Sequence, residues 1–277
     1  MIFQAVSRLI NPHVYRYPNP KRDIIVHYHI YKNAGTSIDH QLEKIYGRRW
    51  LEFEGNSDKF ALTASQLANF FKENLDAIAI SSHKVRPPTP GSHIHPIVLL
   101  RHPIDRARSI YHFGRRDPAQ HDHAVASTND FRGYIEWSLD TPGVGVVLRD
   151  YQVIHLSSAS FRYKNIQDAE ATAEDLSEAI GFLNSLSAFG IVREFDASCG
   201  LFNHAYRPFF PDLNLQPVRE NSSTETALTE EEVLEKARSE LGNSLYQRLM
   251  AANSQDLALY NYARKRFRDL LAHAGLV

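Results

Sequence analysis

Three short runs rich in branched apolar residues mark the N-terminal third of the chain: Ile24 to Ile30 (IIVHYHI), Ala77 to Ser81 (AIAIS) and Ile97 to Leu100 (IVLL). Each is too short for a buried helix, and each reads as a strand. Between and after them lie helical patterns. Ser37 to Tyr46 carries Ile38, Leu42 and Ile45 at helical spacing. Thr63-Ala-Ser-Gln66 has the form of a capping box and opens a helix through about Asn74. The third strand is entered through Pro96 and ends at Arg101-His102-Pro103, where Pro103 suits a first helical position and starts a helix through about Phe113. Strands alternating with helices predict an α/β fold with a mainly parallel central sheet flanked by helices.

Further along, Phe189 to Val192 reads as a short strand. Asn129 to Leu139, Val146 to Leu156, Ala173 to Leu186 and Phe195 to Tyr206 read as helices, and a charged helical pair begins at the capping box Thr229 to Glu232, making the C-terminal part helical. Pro208 to Ala227, rich in Pro, Asn, Ser and Thr, is expected to be an ordered functional loop. At 277 residues and 43% apolar, the chain is long enough for one large core, and a single domain over residues 1–277 is the expectation.

The charges nearly cancel, 31 basic against 32 acidic. No global field points to nucleic acid or an anionic membrane, so any anion site is local. The lone cysteine, Cys199, rules out an intrachain disulfide framework and fits a cytoplasmic setting. Met1 to Tyr17 is interrupted by Arg8, Asn11, Pro12 and His13, so neither a signal peptide nor a membrane span is expected there.

Three segments carry chemistry. Lys32-Asn33-Ala34-Gly35-Thr36-Ser37 joins a strand to a helix: a glycine allows close approach of the backbone, free N–H groups at the helix start face an anion, and Thr36 and Ser37 add hydroxyls. The lysine opens this loop, unlike the usual nucleoside triphosphate loop, where it precedes the Ser/Thr. Arg101 ends a strand, and Ser109 lies about two turns into the next helix, so both can grip one phosphate. Arg106, Arg108, Arg115 and Arg116 make the local field positive. His83, in Ser81-Ser82-His83-Lys84, leaves the end of another strand and is a general-base candidate. Taken singly, each segment also has a plain structural reading: a capped turn, a solvated basic helix, a structural histidine. Together, Lys32, His83 and Arg101 follow three different strand ends, where open α/β sheets bind ligands.

The runs His29-Ile-Tyr-Lys32-Asn-Ala-Gly-Thr-Ser37 and Leu100-Arg101-His-Pro-Ile-Asp-Arg106-Ala-Arg-Ser109 resemble the 5′-phosphosulfate and 3′-phosphate motifs of carbohydrate sulfotransferases that use 3′-phosphoadenosine 5′-phosphosulfate (PAPS), especially the heparan sulfate 2-O-sulfotransferase-like branch. Fainter likeness extends to Phe189-Gly-Ile-Val-Arg-Glu194, to Val218-Arg219-Glu220-Asn221-Ser222 and to the helical C-terminus. The resemblance implies a P-loop-like three-layer fold and a PAPS donor with 3′-phosphoadenosine 5′-phosphate (PAP) as product. It implies no metal, and an acceptor hydroxyl on a saccharide or glycolipid. It assigns Lys32, Asn33, Ala34, Gly35, Thr36 and Ser37 to the 5′-phosphosulfate and Arg101 and Ser109 to the 3′-phosphate. His83 becomes the base and Lys32 the stabiliser of the leaving oxygen, with Arg219, Asn221 and Ser222 as a lid. An imidazole, with its ordinary pKa of about 6.5, suits a base at neutral pH.

The sequence departs from the family pattern at Tyr31 and Asn33, which flank Lys32, and at His102, which stands where the family often has an acid and is expected to lose that acid's contact. The family's animal members are membrane-anchored and lumenal, so a soluble bacterial-type relative is the closer expectation.

The rival readings are a nucleotide-dependent kinase, which needs an acidic metal ligand at a strand end, a non-catalytic nucleotide-binding protein of the same fold, and a metal hydrolase built on His93-Ile-His95 or His121-Asp-His123.

Overall fold

The structure, a computed structural model, describes residues 22–55, 61–87, 89, 93–163, 165–218 and 228–277. Strand β1 (Ile24–Tyr28) is buried at all five positions. That burial explains its near-continuous apolar run, since a central parallel strand is covered on both faces. Helix α1 (Gly35–Tyr46) follows, then a 3-10 turn at Gly47–Arg49 and a three-residue strand β2 (Trp50–Glu52). Helix α2 (Ala64–Glu73) starts at the capping box read from the sequence, with Thr63 and Gln66 bonding each other's backbone N–H groups. Strand β3 (Ala79–Ser82) completes this half.

The chain next forms β4 (Ile94–Ile97) and β5 (Leu99–Leu100). Four strands pair in parallel in the order β2-β3-β1-β4. The short strand β6 (Gly190–Ile191) pairs in parallel with β5. Successive carbonyls of a strand point to opposite edges. The His93 carbonyl takes the Ile24 N–H and the Val98 carbonyl takes the Gly190 N–H, so β6 lies on the edge away from β1. The expected strand at Ile97 to Leu100 is therefore longer, reaching back through Pro96, and it changes partner at Val98.

Helix α3 (Pro103–Arg116) has Pro103 in its first turn. Helices α4 (His123–Thr128), α5 (Phe131–Asp140), α6 (Tyr151–His155), α7 (Ala159–Arg162), α8 (Ala173–Ser185), α9 (Phe195–Tyr206), α10 (Glu230–Ala251) and α11 (Ser254–His273) complete the described elements. The helix expected over Val146 to Leu156 is divided into a 3-10 turn, Val146–Leu148, and the short α6. Asp150, at φ 44°, breaks it.

α1 packs on β1 and β2, α11 on α8, α6 and β6, and α10 on α3 and α5. One apolar cluster joins the strands to α8, α9 and α11, and a second joins α3, α5 and α10. Among the described residues no helix is long and apolar enough to cross a membrane.

From β1 the chain builds β2 and β3 on one side, then crosses to build β4, β5 and β6 on the other. The carboxyl ends of β1 and β4/β5 flank this reversal, the place where an open α/β sheet leaves a crevice for a ligand.

Candidate active site at the carboxyl ends of the strands

The loop after β1 has an uncommon backbone. Lys32 (φ 64°) and Ala34 (φ 61°) both occupy the left-handed region, which residues other than glycine rarely adopt. Such strain persists only where surrounding bonds hold it. Here Asn33, 2% exposed, donates from Nδ2 to the Leu99 carbonyl and to Gln152 Oε1, each at 2.8 Å. The Asn33 side chain thus ties the loop to the neighbouring strand rather than facing the crevice. Ala34 is the N-cap of α1 and supplies no side-chain bond to the helix start. In the first turn of α1 Thr36 is exposed, while Ser37 is buried and its N–H is bonded to the Ala34 carbonyl.

Lys32 lies with its Nζ 3.7 Å from the centre of the Phe113 ring. Burial, with the positive charges of Arg101 and Arg116, lowers its pKa to about 8. An amine so placed still carries its charge at neutral pH.

Arg101, just past β5, makes paired bonds from Nε and Nη2 to Asp105, each 2.9 Å, and donates from Nη1 to the Lys32 carbonyl at 3.1 Å. Arg193 grips the opposite side of Asp105 with the same paired geometry. Burial opposes the charge of Asp105, but Arg101 and Arg193 more than offset it and hold the carboxyl well below its ordinary pKa. Two guanidiniums on one carboxylate leave a net positive centre. Gln152 locks the backbone beside it, accepting the Arg101 N–H and donating to the Arg101 carbonyl. Ser109 is partly exposed on α3.

Arg106 and Arg108 do not add to the crevice as their sequence position suggested. Arg106 is fully buried, bonding the Val147 carbonyl, and Arg108 pairs with Glu240. His102 caps α3: its Nδ1 accepts the Ile104 N–H, and burial lowers its pKa to about 4, keeping it the neutral acceptor a cap requires. A helix-capping contact is therefore present at this position despite the missing acid.

The third strand end holds a stack of imidazoles. His29, just past β1, lies parallel to His83, just past β3, with ring centres 3.9 Å apart. His29 Nδ1 is 2.7 Å from Asp39 Oδ2, and His27 Nδ1 is 2.6 Å from Asp39 Oδ1. Burial, opposed by the Asp39 bond, lowers the His29 pKa to about 4. Gly35 is required here: a Cβ at that position would fall 2.1 Å from Cδ2 of His29. His83 meets Glu54, which leads out of β2. Glu54 Oε1 accepts the His83 backbone N–H at 2.7 Å and lies 3.2 Å from its Nδ1.

The structure thus joins Lys32 to Arg101 directly, and joins the loop to His83 through Gly35 and His29. Arg219, Asn221 and Ser222 lie outside the described residues. Sequence reasoning missed Glu54, the His29–Asp39 pair, Arg193 as a partner of Asp105, and Gln152. The four-residue spacing of Arg101 and Asp105 was a readable signal for their pairing. Among the described residues, two groups bring metal-capable atoms within 4.8 Å of one another: His27, His29 and Asp39, and Glu52, Glu54 and His83. In the first, both histidines are bonded to the aspartate; the second is the more open. Of the histidine pairs noted in the sequence, His93 and His95 both pair with Asp23, and His123 Nδ1 bonds the Gly114 carbonyl.

Fold and site define an α/β protein in which Lys32, Arg101 and the stacked His29 and His83 gather at the carboxyl ends of its parallel strands. No model of a known protein family matches the chain. A protein of Archaeoglobus fulgidus, described only as uncharacterized, is 30% identical over 256 residues, covering 90% of this chain and 98% of its own length. The chain belongs to the same family as that archaeal protein.

Proposed function

We propose that the chain is a PAPS-dependent sulfotransferase acting on a hydroxyl, with a saccharide or glycolipid as the acceptor class. The observation that carries the reading is the meeting of the Lys32–Ser37 loop with Arg101 at the reversal of strand order. In this reading the two are neighbouring anion-binding elements, suited to a donor phosphorylated at both 5′ and 3′ positions. In this reading the fold is P-loop-like. The 5′-phosphosulfate lies on the loop, and Arg101 and Ser109 hold the 3′-phosphate. The resemblance gives Arg219, Asn221 and Ser222, which lie outside the described residues, the role of a lid.

The acceptor oxygen attacks sulfur while His83 takes its proton. The bond between sulfur and the bridging phosphate oxygen breaks, and the leaving PAP carries the electron pair beside the Lys32 ammonium. The donor arrives activated, so the reaction needs no metal. The buried single thiol of Cys199 fits a reducing, cytoplasmic setting.

His83→Ala tests the assignment. Turnover with PAPS falls by roughly 10²–10⁴-fold, the usual contribution of a general base, while PAP affinity changes little. Near-wild-type turnover would remove His83 from the chemistry.

A second reading rests on β2. Glu52 and Glu54 put acidic groups beside His83, an arrangement able to hold a divalent cation. That favours a kinase using a metal–nucleotide complex, and it predicts ATP binding that depends on Mg²⁺ and is lost in Glu54→Gln.

A further inference from the structure

We infer that Glu54 is the positioning residue of the proposed base: it fixes His83 as the tautomer protonated on Nδ1 and so leaves Nε2 as the basic nitrogen. The catalytic consequence rests on the sulfotransferase reading; the tautomer itself does not.

The chemistry of the partners carries the assignment. Burial opposes the charge of Glu54, but its bonds with the His83 side chain and backbone, with help from Lys84, hold its pKa below the ordinary carboxylate value. An ionised carboxylate only accepts hydrogen bonds. Its Oε1, already accepting the His83 backbone N–H at 2.7 Å, stands 3.2 Å from Nδ1, so the proton of a neutral His83 ring belongs on Nδ1. The lone pair is then on Nε2.

The rest of the residue is held as firmly. The buried Arg86 donates from Nη1 to the His83 carbonyl at 2.7 Å, and the Lys84 N–H donates to Ser82 Oγ, closing the turn at the strand end. The His29 ring covers one face of His83 at 3.9 Å. With backbone N–H, backbone carbonyl and one ring face fixed, a side chain that is 42% exposed still presents a defined nitrogen. An orienting carboxylate behind a histidine does this work in metal sites and hydrolytic triads alike.

The test is nitrogen NMR of the histidine side chains in the full chain, with His83 assigned by its loss in His83→Asn, and a PAP titration of the same samples. Wild-type protein at neutral pH shows His83 protonated on Nδ1. Glu54→Ala moves the signal toward the Nε2-protonated form that histidine favours in water, with PAP affinity within about twofold of wild type. Glu54→Gln, which keeps an acceptor for the backbone N–H, falls between the two. A wild-type His83 protonated on Nε2 overturns the assignment without recourse to any variant, as does an unchanged Nδ1 signal in Glu54→Ala. Failure of the wild type to bind PAP would instead sink the donor reading, while the Nδ1 signal would still uphold the role of Glu54.

Discussion

Arg101 donates from Nη1 to the main-chain carbonyl of Lys32 at 3.1 Å, across a gap of 69 residues in sequence. The same guanidinium is braced by Asp105, which Arg193 braces from its other side. A loop strained at Lys32 and Ala34 is thereby held by the group that also supplies positive charge beside it. Shape and electrostatics of the site share one residue.

Arg101→Ala removes both roles. PAP affinity falls by about ten- to a hundredfold, the range for losing charge-assisted hydrogen bonds worth ~1.5–3 kcal/mol. Arg101→Lys recovers only part of it, since an ammonium cannot reproduce the paired bonds to Asp105. Calorimetric titration reads both effects, and unaltered affinity in Arg101→Ala would exclude the residue from the anion site.

Gly35→Ala tests the packing of loop against imidazole. The added Cβ would lie 2.1 Å from a His29 ring that Asp39 holds on one edge and His83 covers on one face. The ring must move, costing about 1–3 kcal/mol. A melting temperature lowered by roughly 2–4 °C per kcal/mol is expected, together with weaker PAP binding. A variant with wild-type melting and binding would contradict this arrangement.

Lys32 gives the site a pH dependence. With its pKa lowered to about 8, the unliganded amine is charged below that pH and loses its charge above it. An anionic ligand favours the charged form, so PAP affinity falls as pH rises past about 8, approaching tenfold per pH unit for one coupled proton. The secondary ionisation of a phosphate, near pH 6, is complete before this window. Lys32→Met binds more weakly and shows no such slope; a slope that survives the substitution would assign it elsewhere.

Buried imidazoles lower stability on the acid side, against Asp150, whose pKa burial and the neighbouring Asp256 raise to about 7. His29 and His102, each lowered to about 4, stay neutral in the folded chain while an unfolded histidine takes a proton near pH 6.5. Between these values the unfolded state binds more protons at these two sites, so their contribution to stability is full above about pH 6.5 and falls as pH drops toward 4. Asp39 and Asp105, held below the ordinary carboxylate range, lose their contribution only at lower pH. The change in urea midpoint from pH 7 to pH 5 should be less unfavourable in His102→Asn than in the wild type, and an equal change in the two would contradict the neutral cap.

What the sequence made legible was local. The caps at Thr63 and Thr229, the proline that starts α3 and the apolar run of β1 each announce themselves within a few residues. β2 did not, because it is three half-exposed residues whose identity as strand comes from pairing with β3. Asp150 broke an expected helix through a backbone conformation that its residue type does not prescribe.

The candidate site divides in the same way. Lys32, Gly35, Arg101 and His83 follow strand ends and could be picked out one by one. Glu54 and Asp39 could not, since each acquires its meaning from a histidine 29 or 10 residues away, brought into contact by the pairing of β2 with β3 and by the packing of α1 on β1. Arg106 and Arg108 look in sequence like part of a basic surface, but α3 turns both inward.

Calorimetric titration of the purified chain with PAP, against ATP and ADP with Mg²⁺, decides the donor class. A PAPS-dependent sulfotransferase binds PAP tightly and without metal, with little binding of ATP. A preference for Mg²⁺-ATP, or no binding of either nucleotide, would contradict that assignment and return the Lys32 loop to the kinase or purely structural reading.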